Sequence, residues 1–521
     1  MTVFLKHYLL LTGLVLFFLA RSYSQSGNAP VNWGGEIFKP SSSTAFRVIG
    51  NWDEGVLMQT RTSSKLFSAG KTFIQRFDNM TMLPQFNKEV VLETTKGSKT
   101  LDYQVLERLG GNPVLFATYF NKDKDKIELY GRRYDLEGEP VNKEKKIAEF
   151  NATRKSQLEK LNFVQSVDSN LMLAFYSERF DKYENEKIDF TLFNQELDTL
   201  WSRNIEFPYK GKNFNIHRSL VDSEGRVFLL IKIQNEKPQD RIGQEFRYSV
   251  VTFGPDTSLI EDYEINLDDK FISDIDFSLN DSHNVICSGF YSEEGAGGVS
   301  GTFYLKVDRA TRMVTGKTLT AFDRDFALGF MEGRRLRGRP ELTDFKLDHF
   351  ITFTDGTHAL IAEQFLIDEV CYQDFRTGMI SCNYLYYFNN IIVVKMDGEG
   401  QVQWTADIPK YQESTNDGGF YSSYVFGQSG NNLYFVFNDN EKNQSEKDKS
   451  KVNPMTNLRK AVPVMAKITS EGRFTRRSLG TDNKKGRFTF APGYSTQLSS
   501  GSILLLGETS NKYRVGIVGL D

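Results

Sequence analysis

Short apolar runs of strand length recur along the chain, each behind a Gly, Asn or Thr turn signal. They start at Gly55, Asn112, Asn170, Gly225, Asn284, Thr357, Asn431 and Gly501, as in NPVLFATY, NLMLAFYS and GRVFLLIKI. Such runs, bounded by turn residues, predict buried strands. A second run usually follows and ends in a polar turn, as in IELYGRRYDLEGEPV, IDFTLFNQELDTLW and IIVVKMDGEGQVQW. Asp135, Asn194, Asp308 and Asp397 start those turns, and Asp or Asn with Gly soon after is hairpin chemistry. The stretch before each first run alternates apolar and polar, as in LDYQVLE, NIHRSLV and FISDIDF, which sets one face of a strand against a core. Each unit therefore reads as four strands, A to D.

The unit recurs about every 57 residues in the first half and about every 70–75 in the second. Four antiparallel strands per repeat make a propeller blade. The expected fold is all-β: a single closed β-propeller of about eight four-stranded blades, with seven as the alternative. A pair of β-sandwiches also has many short strands but no regular four-strand recurrence. The last unit supplies A, B and C as FTFAPGYSTQL, ILLLGET and YRVGIVGLD, and no D strand follows. Val31, Trp33, Glu36 and Ile37 repeat the spacing of Val402, Trp404, Asp407 and Ile408, and Trp201 and Ile205 share part of it. Residues 30–38 are thus expected to complete the last blade, pairing an otherwise open edge.

Composition agrees. The chain holds 42 Phe, 23 Tyr and 41 Gly against 13 Pro, which suits pleated strands and turns. Lys6 precedes the apolar stretch Tyr8 to Ala20, and Ser22 and Ser24 suit cleavage before Gln25. Residues 1–24 are expected to be a signal peptide and 25–521 the propeller domain; an uncleaved anchor is the alternative. The apolar stretch falls short of the roughly 20 residues that span a bilayer, so no transmembrane span is expected after cleavage. The expected location is the periplasm, the outer cell envelope or the exterior. Losing Lys6 and Arg21 takes the formal charge from −3 to −5, which gives nucleic acid no basic footprint. Cys371 and Cys382 are placed to pair in an oxidising compartment, leaving Cys287 over.

The turn DGEGQVQW, through Asp397, Gly400 and Trp404, resembles the repeat of quinoprotein-like (PQQ-like) propellers. The resemblance implies the fold. It does not carry the quinone, because the chain has four Trp in all and no recurring tryptophan dock; no cofactor is expected. The chain also looks like the secreted, functionally uncharacterised propellers of bacterial envelopes.

In a propeller, B–C and D–A connections lie on one face and A–B and C–D turns on the other. The long insertions at 320–341, 367–387, 409–418 and 439–460 all belong to the first face. Long loops on a rigid scaffold are where function concentrates. The first insertion carries Arg334, Arg335, Arg337 and Arg339, whose guanidinium groups suit a carboxylate or phosphate. The second brings Tyr372, Asp374, Arg376 and Tyr384 beside the two cysteines, and its rings suit a sugar or peptide. The link STNDGGFYSSY loosely resembles the Asp-box of sialidase-type propellers through Ser414, Asn416, Gly418 and Tyr421, although a plain glycine turn also accounts for it. GAGGVSG at 295–301 reads as a flexible B–C loop.

Linear catalytic motifs are absent. His217, His283, His349 and His358 fall in no zinc spacing. The stretch from Asn121 begins like a calcium loop but has Lys126 where Gly is needed and Arg132 where Glu is needed. No metal is expected. Paired acids cleave glycosidic bonds without a linear motif. Asp274 and Asp276 share one face of a predicted A strand, and Asp344 and Asp348 are a similar pair in the next unit. The leading expectation is an exported, non-enzymatic binding or scaffold protein that holds a protein, peptide or glycan on its loop-rich face. The alternative is a carbohydrate-active hydrolase or lyase with acids in a central funnel.

Overall fold

The computed structural model describes residues 31–520 apart from 42–43, 64–69, 93–99, 178–182, 236–244, 256–260, 281–282, 296, 310, 312, 331–340, 445–451 and 481–487. Every apolar run is the second strand of an antiparallel sheet. Seven sheets are each built on four strands consecutive in sequence, over 44–89, 102–151, 161–210, 214–265, 271–321, 345–408 and 424–478, and the sixth gains Gln412–Thr415 as a fifth. The eighth draws on 489–519 and on the start of the chain. Asn32–Trp33 and Ile37–Phe38 pair antiparallel with Lys512–Gly519, setting Trp33 opposite Gly516 and Ile37 opposite Tyr513. Consecutive four-stranded meanders packed on one another are the repeat of a β-propeller.

Burial explains why the middle strands are so apolar. Val285–Ser292 is buried at every position, whereas the outer strand Thr199–Lys210 alternates. Apolar clusters lie between the sheets. Leu230 and Tyr248 of the fourth sheet meet Phe277 and Leu305 of the fifth. Ile361 and Val393 of the sixth meet Phe435 and Val464 of the seventh. The eighth sheet packs twice: Leu505 and Val518 on Val436 and Met465 of the seventh, and Leu504 and Tyr513 on Phe46 and Met58 of the first. Full burial of such a side chain contributes about 1.5–3 kcal/mol. Cys287 lies unbonded in one of these clusters, and burial pushes its thiol far up, so it is inert.

One turn design recurs. Asp135 Oδ1 accepts from the N–H groups of Glu137 and Glu139 at 2.9 and 2.8 Å. Asn194 and Asp397 accept from positions two and four residues on in the same way. Asp308 departs from it and takes the N–H of Thr311 at 2.8 Å. Indoles tie neighbours together: Trp52, Trp201 and Trp404 donate to carbonyls of Gly111, Gly225 and Ser470 in turns of the next sheet, at 3.0, 3.2 and 3.0 Å.

The glycine-rich 295–301 segment departs from the flexible loop expected of it. Gly298–Val299 pairs with Leu342–Thr343. Glu341 accepts from Ser292 Oγ at 3.0 Å and from the Glu293 N–H at 2.9 Å. A partner strand and a carboxylate clamp from the D–A insertion order what composition alone leaves loose.

Candidate functional site

Among the described residues, the sixth sheet carries the longest strands. Its middle strands, His358–Gln373 and Ile380–Met396, are 16 and 17 residues long. They run past the sheet as a two-stranded arm, paired without a break from Phe365 opposite Phe388 to Gln373 opposite Ile380. Cys371 and Cys382 face each other near the tip and are disulfide-bonded. Asp374 caps the turn, accepting from the N–H groups of Arg376 and Thr377 at 2.7 and 3.0 Å, which holds its carboxyl below the usual range. Beyond that cap the tip is apolar and bare: Phe375 is fully exposed, and Tyr372, Met379 and Ile380 are mostly so. Glu369 stands beside both sulfurs, but a disulfide has no thiolate to offer a metal.

The neighbouring insertions brace one edge of the arm. Gln412–Thr415 adds as a third strand, Thr415 opposite Leu385 and Gln412 opposite Phe388. Asn416 takes the Tyr384 N–H on its side chain and donates its own N–H to the Tyr384 carbonyl, both at 2.9 Å. Met455, from the 439–460 insertion, donates to Tyr411 O at 2.9 Å and accepts from the Glu413 N–H at 3.1 Å. The other edge differs: past Gln364, strand His358–Gln373 has no partner strand among the described residues except its hairpin mate. Of the expected binding residues, Tyr372, Asp374, Arg376 and Tyr384 are exposed on the arm. Tyr421 is not; its hydroxyl turns inward to Glu508 Oε1 at 3.0 Å. Arg334, Arg335, Arg337 and Arg339 lie outside the described residues.

A buried polar network anchors the arm. Lys410 Nζ lies 2.6 Å from Glu363 Oε1 and donates to Phe388 O and Gln412 Oε1 at 2.7 and 2.9 Å. Burial pulls the ammonium down while Glu363 opposes that shift. Ser423 Oγ donates to Glu363 Oε2 at 2.7 Å, and Gln412 Nε2 to Asn438 O at 2.7 Å. Such networks rigidify when each member is satisfied.

Titratable groups continue across the first strands of the fourth to seventh sheets. His217 Nε2 lies 3.6 Å from Asp274 Oδ1 and 3.1 Å from the Ile275 carbonyl, which requires the proton on Nε2. Arg218 Nε is 3.3 Å from Asp276 Oδ1. Asp274 Oδ2 accepts from the Leu347 N–H at 2.9 Å, and Tyr424 donates its hydroxyl to Asp348 Oδ2 at 2.8 Å. Burial, with Glu363 adding repulsion, lifts the Asp348 carboxyl to about 7. Burial also raises Asp276 and lowers His349 to about 4. Asp344 does not join this row. It is exposed, ahead of strand Phe345–Thr352, in the left-handed region at φ 65°.

A β-bulge sets this arrangement. Leu347 and His349 pair with the adjacent residues Ala362 and Ile361, so Asp348 is the extra residue. His217 and Ser273 are the extra residues at the same place in the two preceding sheets. Bulges re-aim side chains and favour functional positions. They also break the i, i+2 rule that coupled Asp344 to Asp348.

No protein-family model and no curated protein matches the chain. Solved structures resemble it at low similarity. The β-propeller domain of the Trilobed protease from Pyrococcus furiosus is 10% identical with a TM-score of 0.34, covering 87% of this chain and 97% of its own. The WD40 domain of SCAP from fission yeast is 9% identical with a TM-score of 0.37, covering 92% and 97%. A protein of unknown function from Bacteroides caccae is 10% identical with a TM-score of 0.27, covering 70% and 93%.

Proposed function

We propose that the chain is an exported binding or scaffold protein, without catalysis, whose arm holds an extended segment of a partner protein. The eight sheets would be the blades of one closed propeller, with the N-terminal strands as its clasp. The carrying observation is the arm: an apolar tip left bare beside a strand edge that has no partner strand among the described residues, on a hairpin pinned by a disulfide. An open edge pairs with added strands through main-chain hydrogen bonds, and the alternating side chains supply selectivity. Signal-like residues 1–24 and the disulfide support an oxidising compartment outside the cytoplasm. Fractionation of cells carrying the tagged protein tests export.

Affinity capture from the envelope fraction tests the binding reading. Phe375→Ser with Ile380→Ser removes the tip, and Glu369→Pro blocks the edge. Both are expected to lose partners that the unaltered protein retains. Equal recovery by all three would reject the arm as the binding element.

A second reading rests on Asp348, whose carboxyl titrates near neutrality beside Tyr424, as a general acid requires. It supports a glycosidase with Asp274 or Asp276 as the partner carboxylate. A polysaccharide-degradation screen with Asp348→Asn as control tests it; a screen without turnover would reject it.

A further inference from the structure

The free edge of the arm carries a defined row of main-chain groups. The Phe365 N–H donates to Asp344 O at 2.8 Å, away from the hairpin mate, and the Asp374 N–H donates to Met379 O at 2.9 Å, toward it. Main-chain groups of an antiparallel strand alternate between its two edges. Ile367, Glu369 and Cys371 therefore turn theirs outward, and none of these three N–H groups finds an acceptor among the described residues. All three residues are exposed.

The side chains along that edge are sorted. Leu366, Val370 and Tyr372 share one face with Asp368, and Ile367 and Cys371 share the other with Glu369. Asp368 and Glu369 thus put one carboxylate on each face, at adjacent positions, between apolar neighbours. Tyr384 donates its hydroxyl to Glu369 Oε1 at 3.1 Å. Neither carboxylate has a cationic partner among the described residues. The surroundings carry one sign: over 365–390 and 412–418 the acids are Asp368, Glu369, Asp374, Glu413 and Asp417, and the one base is Arg376.

We infer that the arm's partner is an extended segment with two adjacent Lys or Arg residues between apolar ones, added antiparallel along residues 366–372. This rests on the arm as the binding element. Adjacent side chains of an extended segment lie on opposite faces, as Asp368 and Glu369 do, so each base meets one carboxylate directly across the pair. Antiparallel pairing is the more stable of the two directions. Main-chain hydrogen bonds carry the affinity, since an exposed ion pair contributes little by itself, and the charges select the partner. A second copy of the arm is the poorer occupant, because it would bring both copies of Asp368 and Glu369 to one seam, and like charges across strands destabilise.

The test is fluorescence anisotropy of labelled peptides on the full chain. One peptide reads Val-Thr-Val-Lys-Lys-Val-Thr with Gly-Ser at each end; the other has Glu-Glu for Lys-Lys. The lysine peptide is expected to bind, and the glutamate peptide to bind about tenfold more weakly or worse. Asp368→Lys with Glu369→Lys is expected to reverse that preference. With the first Lys opposite Glu369, the N–H groups of the second, fourth and sixth peptide residues face the arm. N-methylation there is expected to abolish binding, and N-methylation of the third, fifth or seventh to be tolerated. Equal binding of the two peptides, or of neither while Glu369→Pro still loses envelope partners, would overturn the inference and leave the arm as the binding element. Lysine-peptide binding indifferent to the site of N-methylation would mean charge attraction without strand addition and would overturn both. A concentration-dependent dimer in sedimentation, lost in Glu369→Pro, would make a second copy the occupant instead.

Discussion

Lys39 and Glu508 form an ion pair at 2.5 Å, with both side chains only 5% exposed. It ties the segment after the N-terminal strands to the central strand Ser502–Glu508 of the last sheet. Tyr421 donates to the other oxygen of the same carboxylate, so a D–A link is fastened to the same point. Removing one member of a buried pair leaves a charge without compensation and costs about 3–5 kcal/mol. Lys39→Met is therefore expected to lower the melting temperature strongly, and Lys39→Met with Glu508→Gln to recover much of the loss. A double variant as unstable as the single would show that packing, not charge, holds the seam.

Gly516 gives a second handle on the seam. A Cβ there would lie 2.7 Å from Trp33 Cε3 and 2.8 Å from Val31 Cγ1, closer than any side chain tolerates. Gly516→Val is expected to push the N-terminal strand off its partner, at a cost of about 1–3 kcal/mol for overpacking. Trp33 also stacks under the Arg514 guanidinium at 4.3 Å, so its release should shift tryptophan emission to the red. Deleting residues 25–40 is expected to destabilise the protein in the same direction. A melting temperature unchanged in that deletion would remove the clasp from the fold.

The strands were legible because burial on both faces forces continuous apolar runs between turns, and all eight runs became central strands. The partner of the last strand was legible because Trp33 repeats the spacing of Trp404. The arm was legible only in part. Cys371 and Cys382 marked it, but Phe375 looks like any strand aromatic until its exposure is seen. Lys410 gave no sign at all, since a buried lysine depends on Glu363, far away in sequence. The bulge at Asp348 was equally silent: one extra residue leaves alternation intact on either side and shifts only the register.

The arm offers a direct proteolytic test of its staple. Arg376 is exposed in the tip turn, inside the 11-residue separation of Cys371 and Cys382. Trypsin is expected to cut there early. The nicked chain should run as one band without reductant and as two with it, because the disulfide spans the cut. In Cys371→Ser with Cys382→Ser, two bands should appear without reductant, while the main thermal transition stays in place, since the tip lies outside every apolar cluster among the described residues. Two bands from the unaltered protein before reduction would mean that the cysteines are not joined.

Asp348 and His349 are neighbours that pull stability in opposite directions with pH. Asp348 rises from 3.8 to about 7 on folding. Between those values the unfolded chain has released a proton that the folded chain keeps, so stability falls as pH rises. His349 drops from 6.5 to about 4, through burial and the nearby Arg218 charge. In that window the unfolded chain holds the extra proton, so stability climbs with pH. Asp348→Asn keeps an acceptor for the Tyr424 hydroxyl and removes the first effect. Its melting temperature relative to the unaltered protein is expected to increase from about pH 4 to about pH 7 and then level off. His349→Phe preserves the ring contact with Phe426 at 4.8 Å and removes the second effect. Its relative gain should be greatest near pH 4 and fade toward pH 6.5. A pH-independent difference for Asp348→Asn would mean that Asp348 is already ionised in the folded protein near pH 4, with Lys410 and Lys346 outweighing burial and the repulsion from Glu363.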